Sequence, residues 1–262
     1  MIVSLKNRSL VRVSGKDNFR FLQSQFSNDI SKISNNQIQI NCYCQHQGKI
    51  LAVIWVMKKN DSYLLSLPKE LEKVIIEKLN VYKFMSDVNI EEISNNLYQY
   101  GVINEANTGV LLKGNLNILI TKKKLFSDNV DLWEQQCIKN NLAEIVTSTY
   151  EKFIPQTLNL DIDELGVSFS KGCYPGQEVV ARMHYLGKPK RRLFYFESKF
   201  EAIVGDSINT KESESLKSSG EVLRVVKINN TFHLLGTLEI KHSSAQIFLN
   251  NDTEKPLKII DD

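Results

Sequence analysis

The chain has 262 residues, of which 42% are hydrophobic, so it is long enough to bury a substantial core in one large domain or in two to three small ones. Its 33 basic and 30 acidic residues leave a net charge of +3, which is too small to indicate a dedicated nucleic-acid-binding surface. The four cysteines lack the spacing of a disulfide framework, and the N-terminus lacks a secretory or transit pattern. Because no apolar run is long enough for a membrane span, we expect a cytoplasmic protein.

Strands and helices are predicted in a mixed order from the N-terminus to Arg192. The order lacks the regular alternation of a doubly wound sheet, so it favours an α+β fold. In chain order, the patterns predict a strand at Leu10–Val13, a helix with Phe19, Leu22, Phe26 and Ile30, strands at Gln37–Tyr43, Ile50–Met57 and Tyr63–Leu67, a helix that starts at Pro68 and carries Leu71, Val74, Ile75 and Leu79, strands at Val88–Ile93, Leu97–Ile103 and Leu116–Thr121, and a helix capped by Asp128 that runs through Ile138.

The C-terminal part of the sequence has a different pattern of apolar and turn-forming residues. Short apolar segments from Leu193 onward are separated by clusters of Gly, Ser and Asn, which is typical of a small β-barrel or sandwich. We therefore predict two regions, an α+β region at residues 1–192 and a β-barrel at residues 193–262.

One segment, KGCYPGQEVVARMHY at Lys171–Tyr185, combines a cysteine with two glycines and a proline. Pro175 and Gly176 suit the second and third positions of a type II turn, and Gln177 then begins an apolar pattern of helical spacing. The chain is therefore predicted to bend here and to start a helix.

Cys173 is the candidate reactive residue of this segment. The predicted turn places it near free backbone N–H groups, with Lys171 beside it and Arg182 and His184 within reach, and such surroundings favour a reactive thiol. That chemistry suits a transient mixed disulfide or a contact to iron or a cluster. The residues alone equally allow Cys173 to be a small buried apolar residue.

The segment KGCYPGQEVVAR resembles the hallmark K-G-C-Y-x-G-Q-E-x-x-A-R of the YgfZ family, folate-binding relatives of the glycine-cleavage aminomethyltransferase. Further similarity is spread over the first region. It includes Phe153–Leu160 (FIPQTLNL), Val167–Lys171 (VSFSK), Gly15-x-Asp17, Phe21-Leu22-Gln23-x-Gln25 with Asp29, and Gly48-Lys49.

This resemblance implies two interleaved α+β lobes and a C-terminal β-barrel around a central opening that binds tetrahydrofolate or a related reduced folate. It also implies a role in the assembly or repair of iron–sulfur clusters, tied in bacteria to tRNA modification through enzymes that carry such clusters. The expected partners are iron–sulfur client enzymes or cluster-assembly proteins. We expect a monomer, and direct nucleic-acid binding is disfavoured.

The resemblance also assigns site residues. Cys173 and Lys171 are the expected catalytic pair, with Lys171 activating the thiol. The expected folate-binding residues are Trp133, Arg8, Tyr174, Gln177, Glu178 and Arg182. Trp133 stands where the family has a folate-contacting tryptophan, although a core aromatic on an amphipathic helix is the alternative. Arg8 replaces a second such tryptophan and could hold the anionic glutamate tail of the folate.

Two other classes of function remain open but are less favoured. A folate-dependent aminomethyltransferase would resemble G-G-V-I-D-D where this chain has Gly48-Lys49-Ile50-Leu51-Ala52, so the expected carboxylates are missing. A folate-independent thiol redox or RNA-binding protein would use Cys173 or the basic run Lys188–Arg192. Cys42, Cys44 and His46 are a weak metal pattern, and we predict buried strand cysteines and no metal site.

Overall fold

Two open antiparallel β-sheets and a closed β-barrel make up the fold in the computed structural model, which describes residues 1–105, 107–127, 129–212 and 218–260. The first sheet has the strand order β3-β4-β5-β2-β6. Its strands are β2 (Arg8–Ser14), β3 (Gln39–Cys44), β4 (Ile50–Lys59), β5 (Ser62–Pro68) and β6 (Asn89–Glu92). Helix α1 (Asn18–Gln25) follows β2, and helix α2 (Glu72–Tyr82) follows β5. The first eight residues of β4 are buried, as expected for a central strand covered on both faces.

The second sheet has the order β1-β7-β9-β8 and is followed by helix α3 (Val130–Lys139). Its strands are β1 (Ile2–Ser4), β7 (Tyr98–Ile103), β8 (Val110–Lys113) and β9 (Leu116–Thr121). Strand β1 precedes the whole first sheet in the chain, yet it pairs with β7. The two α+β lobes are therefore interleaved, which confirms the predicted fold class.

The C-terminal strands close into a six-stranded barrel of order β10-β13-β12-β11-β14-β15. They are β10 (Arg191–Ser198), β11 (Ser207–Thr210), β12 (Gly220–Ile228), β13 (Thr231–Glu239), β14 (Ile247–Leu249) and β15 (Pro256–Ile260). Closure leaves the sheet without free edges. The predicted boundary after Arg192 falls two residues inside β10.

Two helix boundaries differ from the prediction because residues predicted to be helical belong to neighbouring extended segments. Helix α1 ends at Gln25, since Phe26 is extended and forms a bridge to Tyr43. Pro68 is the last residue of β5 and not the start of a helix, because its backbone continues the pairing with Arg8.

The start of α3 depends on Asn129, whose side-chain oxygen accepts a hydrogen bond of 2.9 Å from the backbone N–H of Asp131. The predicted cap, Asp128, lies outside the described residues. Across the described parts of the chain, every helix is too short or too polar to cross a bilayer.

Candidate functional site

Lys171 fixes the base of the cysteine loop from inside the protein. Its ammonium group donates hydrogen bonds to the backbone carbonyl oxygens of Gln23 at 2.6 Å and Asn28 at 3.1 Å, and also to that of Phe26. Burial lowers the pKa of Lys171 to about 8, and nearby Asp29 opposes this shift. The lysine of the hallmark thus ties the loop to the segment after α1, which carries the N-terminal similarity.

Gly176 fixes the other end of the loop. It precedes helix α4 (Gln177–Leu186) with a φ of +82°. A β-carbon at Gly176 would lie 2.5 Å from the carbonyl oxygen of Gln45 and 2.7 Å from the Cα atom of Gly48. Only glycine fits this left-handed, crowded position. Two stretches that resemble the family, Gly48-Lys49 and the cysteine segment, therefore meet in space.

Cys173 is exposed between these two fixed points. Next to it, a β-carbon at Gly172 would have no atom within 4 Å, whereas Tyr174 is buried. Within the described residues no hydrogen bond joins the Lys171 ammonium to the thiol, because Lys171 is directed to backbone carbonyls instead. The expected activation of Cys173 by direct contact with Lys171 is therefore not seen, and the lysine positions the loop.

The remaining hallmark side chains flank the loop. The side-chain amide of Gln177 donates to the carbonyl oxygen of Lys171 at 3.4 Å. Glu178 and Arg182 are exposed on α4. Further along α4, His184 stacks on Phe169 with ring centroids 3.6 Å apart. This group forms one exposed surface around Cys173, and none of its members lines the cleft described below.

The other three cysteines are buried. Cys42 is hydrogen-bonded to Cys44, and this contact together with burial raises the pKa of Cys44 well above its usual value. His46 is instead 3.4 Å from the hydroxyl of Tyr82. The described residues contain no group of three or more potential metal ligands among His, Cys, Asp and Glu.

Trp133 is a core residue in this structure. Its side chain is 1% exposed and packs over Gly101 in β7, where a β-carbon would lie 2.3 Å from the indole ring. The absence of a side chain at Gly101 makes room for the indole. Of the two interpretations of Trp133, the geometry therefore favours the packed core aromatic, since a ligand could stack on the indole only after this contact opens.

Arg8 does not line the inter-sheet cleft described below, but it lines a separate pocket of about 460 Å³ together with Tyr98 and Gln99. It is buried, and its guanidinium group lies over the ring of Trp55, 3.5 Å from the centroid. It donates to the hydroxyl of Ser66 at 2.8 Å and pairs with the carboxylate of Glu144. Burial lowers the pKa of Arg8 to about 10, so the group stays charged near neutral pH.

The ion pairs continue from Glu144 into the barrel. The second carboxylate oxygen of Glu144 is 3.1 Å from the guanidinium group of Arg224 in β12, which also pairs with Glu134 of α3. Arg224 further donates to the carbonyl oxygen of Leu142 at 2.8 Å. We call Arg8, Glu134, Glu144 and Arg224 the charged junction, because they connect the first sheet, the α3 segment and the barrel.

An open cleft of about 1090 Å³ lies between the two sheets. Its walls are apolar residues from both sheets. They include Met57, Leu64 and Ile93 from the first lobe and Val110, Ile118 and Ile120 from the second. Such a size and lining are typical of a site for a small organic ligand.

Charged groups stand at the mouth of the cleft. Lys58 and Lys59, the last two residues of β4, lie there next to the β4–β5 turn. Two residues further from this turn, Ser66 follows the wall residue Leu64 on the same face of β5. Ser66 accepts a hydrogen bond of 2.6 Å from the amide of Gln99, whose buried Oε1 atom has no partner among the described residues. Both residues are buried and neither lines the cleft, whereas Gln99 lines the separate pocket that also contains Arg8.

The structure therefore divides the predicted site residues into two groups. Arg8 and Trp133 lie around the charged junction, and the hallmark residues lie around Cys173. Sequence reasoning missed the cleft, the paired Glu144 and Arg224, and the lysines at the mouth. The alternating Leu64-x-Ser66 of β5 was a signal for one face of the wall, but nothing in the sequence indicates that the second sheet forms the opposite wall of the cleft.

Comparisons with known proteins support this architecture. No family model matches the chain. It is 27% identical over 264 residues to an uncharacterized protein of Haemophilus influenzae, covering 96% of this chain and 90% of that one. It is 27% identical to the tRNA-modifying protein YgfZ of Buchnera aphidicola subsp. Baizongia pistaciae, covering 87% and 83% of the two chains. For the protein of the same name from Colwellia psychrerythraea, the identity is 26%, with 85% and 80% covered.

Among solved structures, the glycine cleavage system aminomethyltransferase T from Bartonella henselae matches with a TM-score of 0.73 and 10% identity. The match covers 100% of this chain and 84% of that protein, and it establishes the fold. The resemblance stated from the sequence is thereby confirmed, and the chain is a homologue of the YgfZ proteins built on the aminomethyltransferase fold.

Proposed function

We propose that this protein binds tetrahydrofolate or a related reduced folate in the cytoplasm. We further propose that it supports the assembly or repair of iron–sulfur clusters in client enzymes, including enzymes of tRNA modification. The similarity to proteins named tRNA-modifying protein YgfZ and the aminomethyltransferase fold support this role. The observation that carries the folate proposal is the cleft of about 1090 Å³ between the two sheets.

The cleft suits the chemistry of a folate. A pterin is a flat heteroaromatic ring with hydrogen-bonding edges, and apolar walls such as Leu64 and Ile120 can enclose it. Lys58 and Lys59 at the mouth could pair with the carboxylates of the tail. Bound folate would supply a one-carbon carrier at this place.

Cys173 is the proposed contact to the client. The thiol is exposed, and the fixed loop between Lys171 and Gly176 presents it at the surface. Of the basic run after α4, Arg191 pairs with Glu239, and Arg192 pairs with Asp161. Lys188 and Lys190 of this run have no ion-pair partner among the described residues, and we propose that they position an acidic client surface.

The alternative of aminomethyl transfer is less well supported. Ile50, Leu51 and Ala52 begin the buried strand β4, so the position of the expected carboxylates is apolar in this chain. Without a carboxylate there, the amine of the transferred unit would lack a charged partner.

Calorimetric titration with tetrahydrofolate tests the folate proposal. The wild type should bind with a Kd on the order of micromolar. An Ile120→Trp variant should lose this binding, since half-buried Ile120 faces the open cleft and a larger ring would fill it. Tyr98→Trp is the matched control, because Tyr98 is on the opposite face of the same sheet and should bind normally. A folded wild type without affinity would refute the folate site.

A second experiment tests the thiol. Cys173→Ser should leave folding and folate affinity unchanged but lower the activity of an iron–sulfur client enzyme in cells. Lys190→Gln serves as a comparison that should lower this activity less. Unchanged client activity in Cys173→Ser would remove the thiol from the mechanism and leave folate binding unaffected.

A further inference from the structure

The mouth of the inter-sheet cleft is strongly basic. Five basic residues and two acidic residues line the cleft. The basic residues are Arg12, Lys16, Lys58, Lys59 and Lys122. The whole chain carries a net charge of only +3 from 33 basic and 30 acidic residues, so this local excess does not follow from the overall composition.

Four of these cations are free to bind an anion. Arg12 is paired with Glu91. Lys16, Lys58, Lys59 and Lys122 are exposed, and none of them has an ion-pair partner within the described part of the chain. They come from three separate places, the segment after β2, the end of β4 and the segment directly after β9. The fold therefore gathers them around one opening.

We propose that the four lysines, which we call the lysine rim, bind a chain of several carboxylates, and that the preferred ligand is a folate with a poly-γ-glutamate tail. This inference rests on the proposed folate site. The apolar walls can take the ring end of the ligand, while each added glutamate brings one more carboxylate to the rim. Lysines on flexible stems suit a mobile, extended polyanion better than a single fixed carboxylate, for which an arginine fork is the usual partner.

The strength of this preference follows from the exposure of the rim. An exposed ion pair strengthens binding only slightly and is weakened further by salt. Two or three such pairs give about a tenfold gain in affinity over a ligand with one glutamate. The gain should therefore shrink steeply as the ionic strength rises.

The test is an anaerobic calorimetric comparison of tetrahydrofolate carrying one, three or five glutamates. In the wild type at low salt, the pentaglutamate should bind about tenfold more tightly than the monoglutamate. A variant with Lys16→Gln and Lys122→Gln should lose most of this gain and keep the monoglutamate affinity. A variant with Lys58→Gln and Lys59→Gln should also lose most of the gain, and it should weaken binding of the monoglutamate as well. Lys227→Gln with Lys258→Gln, two exposed lysines of the barrel, is the charge-matched control.

The outcomes separate the two proposals. Equal affinity of the wild type for all three tail lengths would overturn the role of the lysine rim and leave the folate site standing. A gain that persists in both rim variants would overturn it as well, since the tail would then be held elsewhere. Failure of every folate to bind would refute the folate site itself.

Discussion

The charged junction and the cysteine loop both contain predicted site residues, but they are built in opposite ways. In the junction, the side chains satisfy one another, with Glu144 between Arg8 and Arg224. In the loop, the backbone is fixed by Lys171 and Gly176, while the functional side chain of Cys173 is left exposed.

This difference indicates two structural roles for the predicted site residues. Buried, mutually paired groups fix the lobes and the barrel relative to one another. If one charge of such a pair is removed, its partner in another unit is left buried without a counter-charge. A rigid loop with an exposed tip presents one group to a partner. Substitutions in the junction should therefore change stability, and substitutions at the loop tip should change function.

The largest effect is expected for Trp133→Ala. Removing a side chain that is 1% exposed and packed on Gly101 leaves a large cavity, and we expect a loss of about 4 kcal/mol in the free energy of unfolding. Urea denaturation followed by circular dichroism measures it. Unchanged stability combined with lost folate binding would instead show that the indole contacts the ligand. Trp133 would then serve function, as Cys173 does, and not stability.

A somewhat smaller effect is expected for Glu144→Gln. The substitution leaves Arg8 and Arg224 buried with less compensating charge, which should cost about 3 kcal/mol. Glu91→Gln is the matched control, since Glu91 pairs with Arg12 at the surface and should contribute less than about 1 kcal/mol. Chemical denaturation of both variants measures the difference. Equal losses would mean that burial does not distinguish the junction from an ordinary surface pair.

Much of the fold could be predicted from local sequence patterns, whereas the charged junction could not. The hairpin of β4 and β5, the strand β9 and the barrel follow from alternation and turn residues. Strand β1 was not predicted, because its three residues form a strand only through pairing with β7, far along the chain. Glu144 and Arg224 are separated by 80 positions, and nothing in either local sequence indicates that they meet.

The site was predicted in part for the same physical reason. The turn at Gly176 follows from residue chemistry, and the structure has it. The partners of Lys171 could not be predicted, because they are backbone carbonyl oxygens that any residue type supplies. The surroundings of Arg8 could not be predicted either, because Trp55, Ser66 and Glu144, which enclose it, are far from it in the sequence. Its role as a folate ligand stays a prediction.

The two glycines of the loop sharpen the contrast between its fixed base and its free tip. Gly176→Ala should destabilise the protein by about 2 kcal/mol, because of the left-handed backbone and the clash with Gln45 and Gly48. Gly172→Ala should change the stability by less than about 0.5 kcal/mol, since its β-carbon meets open space. Thermal unfolding of the two variants tests this. A similar loss for both would show that the tip of the loop is as constrained as its base.

The smallest effect concerns the protonation of Lys171. Its pKa is lowered by burial to about 8 in the folded protein, against 10.5 for an ordinary lysine. Below pH 8 both states carry the proton, so the folded state bears the full cost of the buried charge. Between pH 8 and 10.5 the unfolded chain binds more protons, and the free energy of unfolding should therefore rise with pH. From pH 7.5 to 9 the gain should be about 1 kcal/mol.

Lys171→Met separates this contribution from all other titrating groups. The variant keeps an apolar stem but has no proton to lose, so its stability relative to the wild type should fall between pH 7.5 and 9. Urea denaturation at a series of pH values gives both curves. Parallel curves would mean that the three carbonyl oxygens of Gln23, Phe26 and Asn28 stabilise the ammonium group enough to cancel its burial. The base of the cysteine loop would then be fixed by a fully charged lysine, as tightly satisfied as the arginines of the junction.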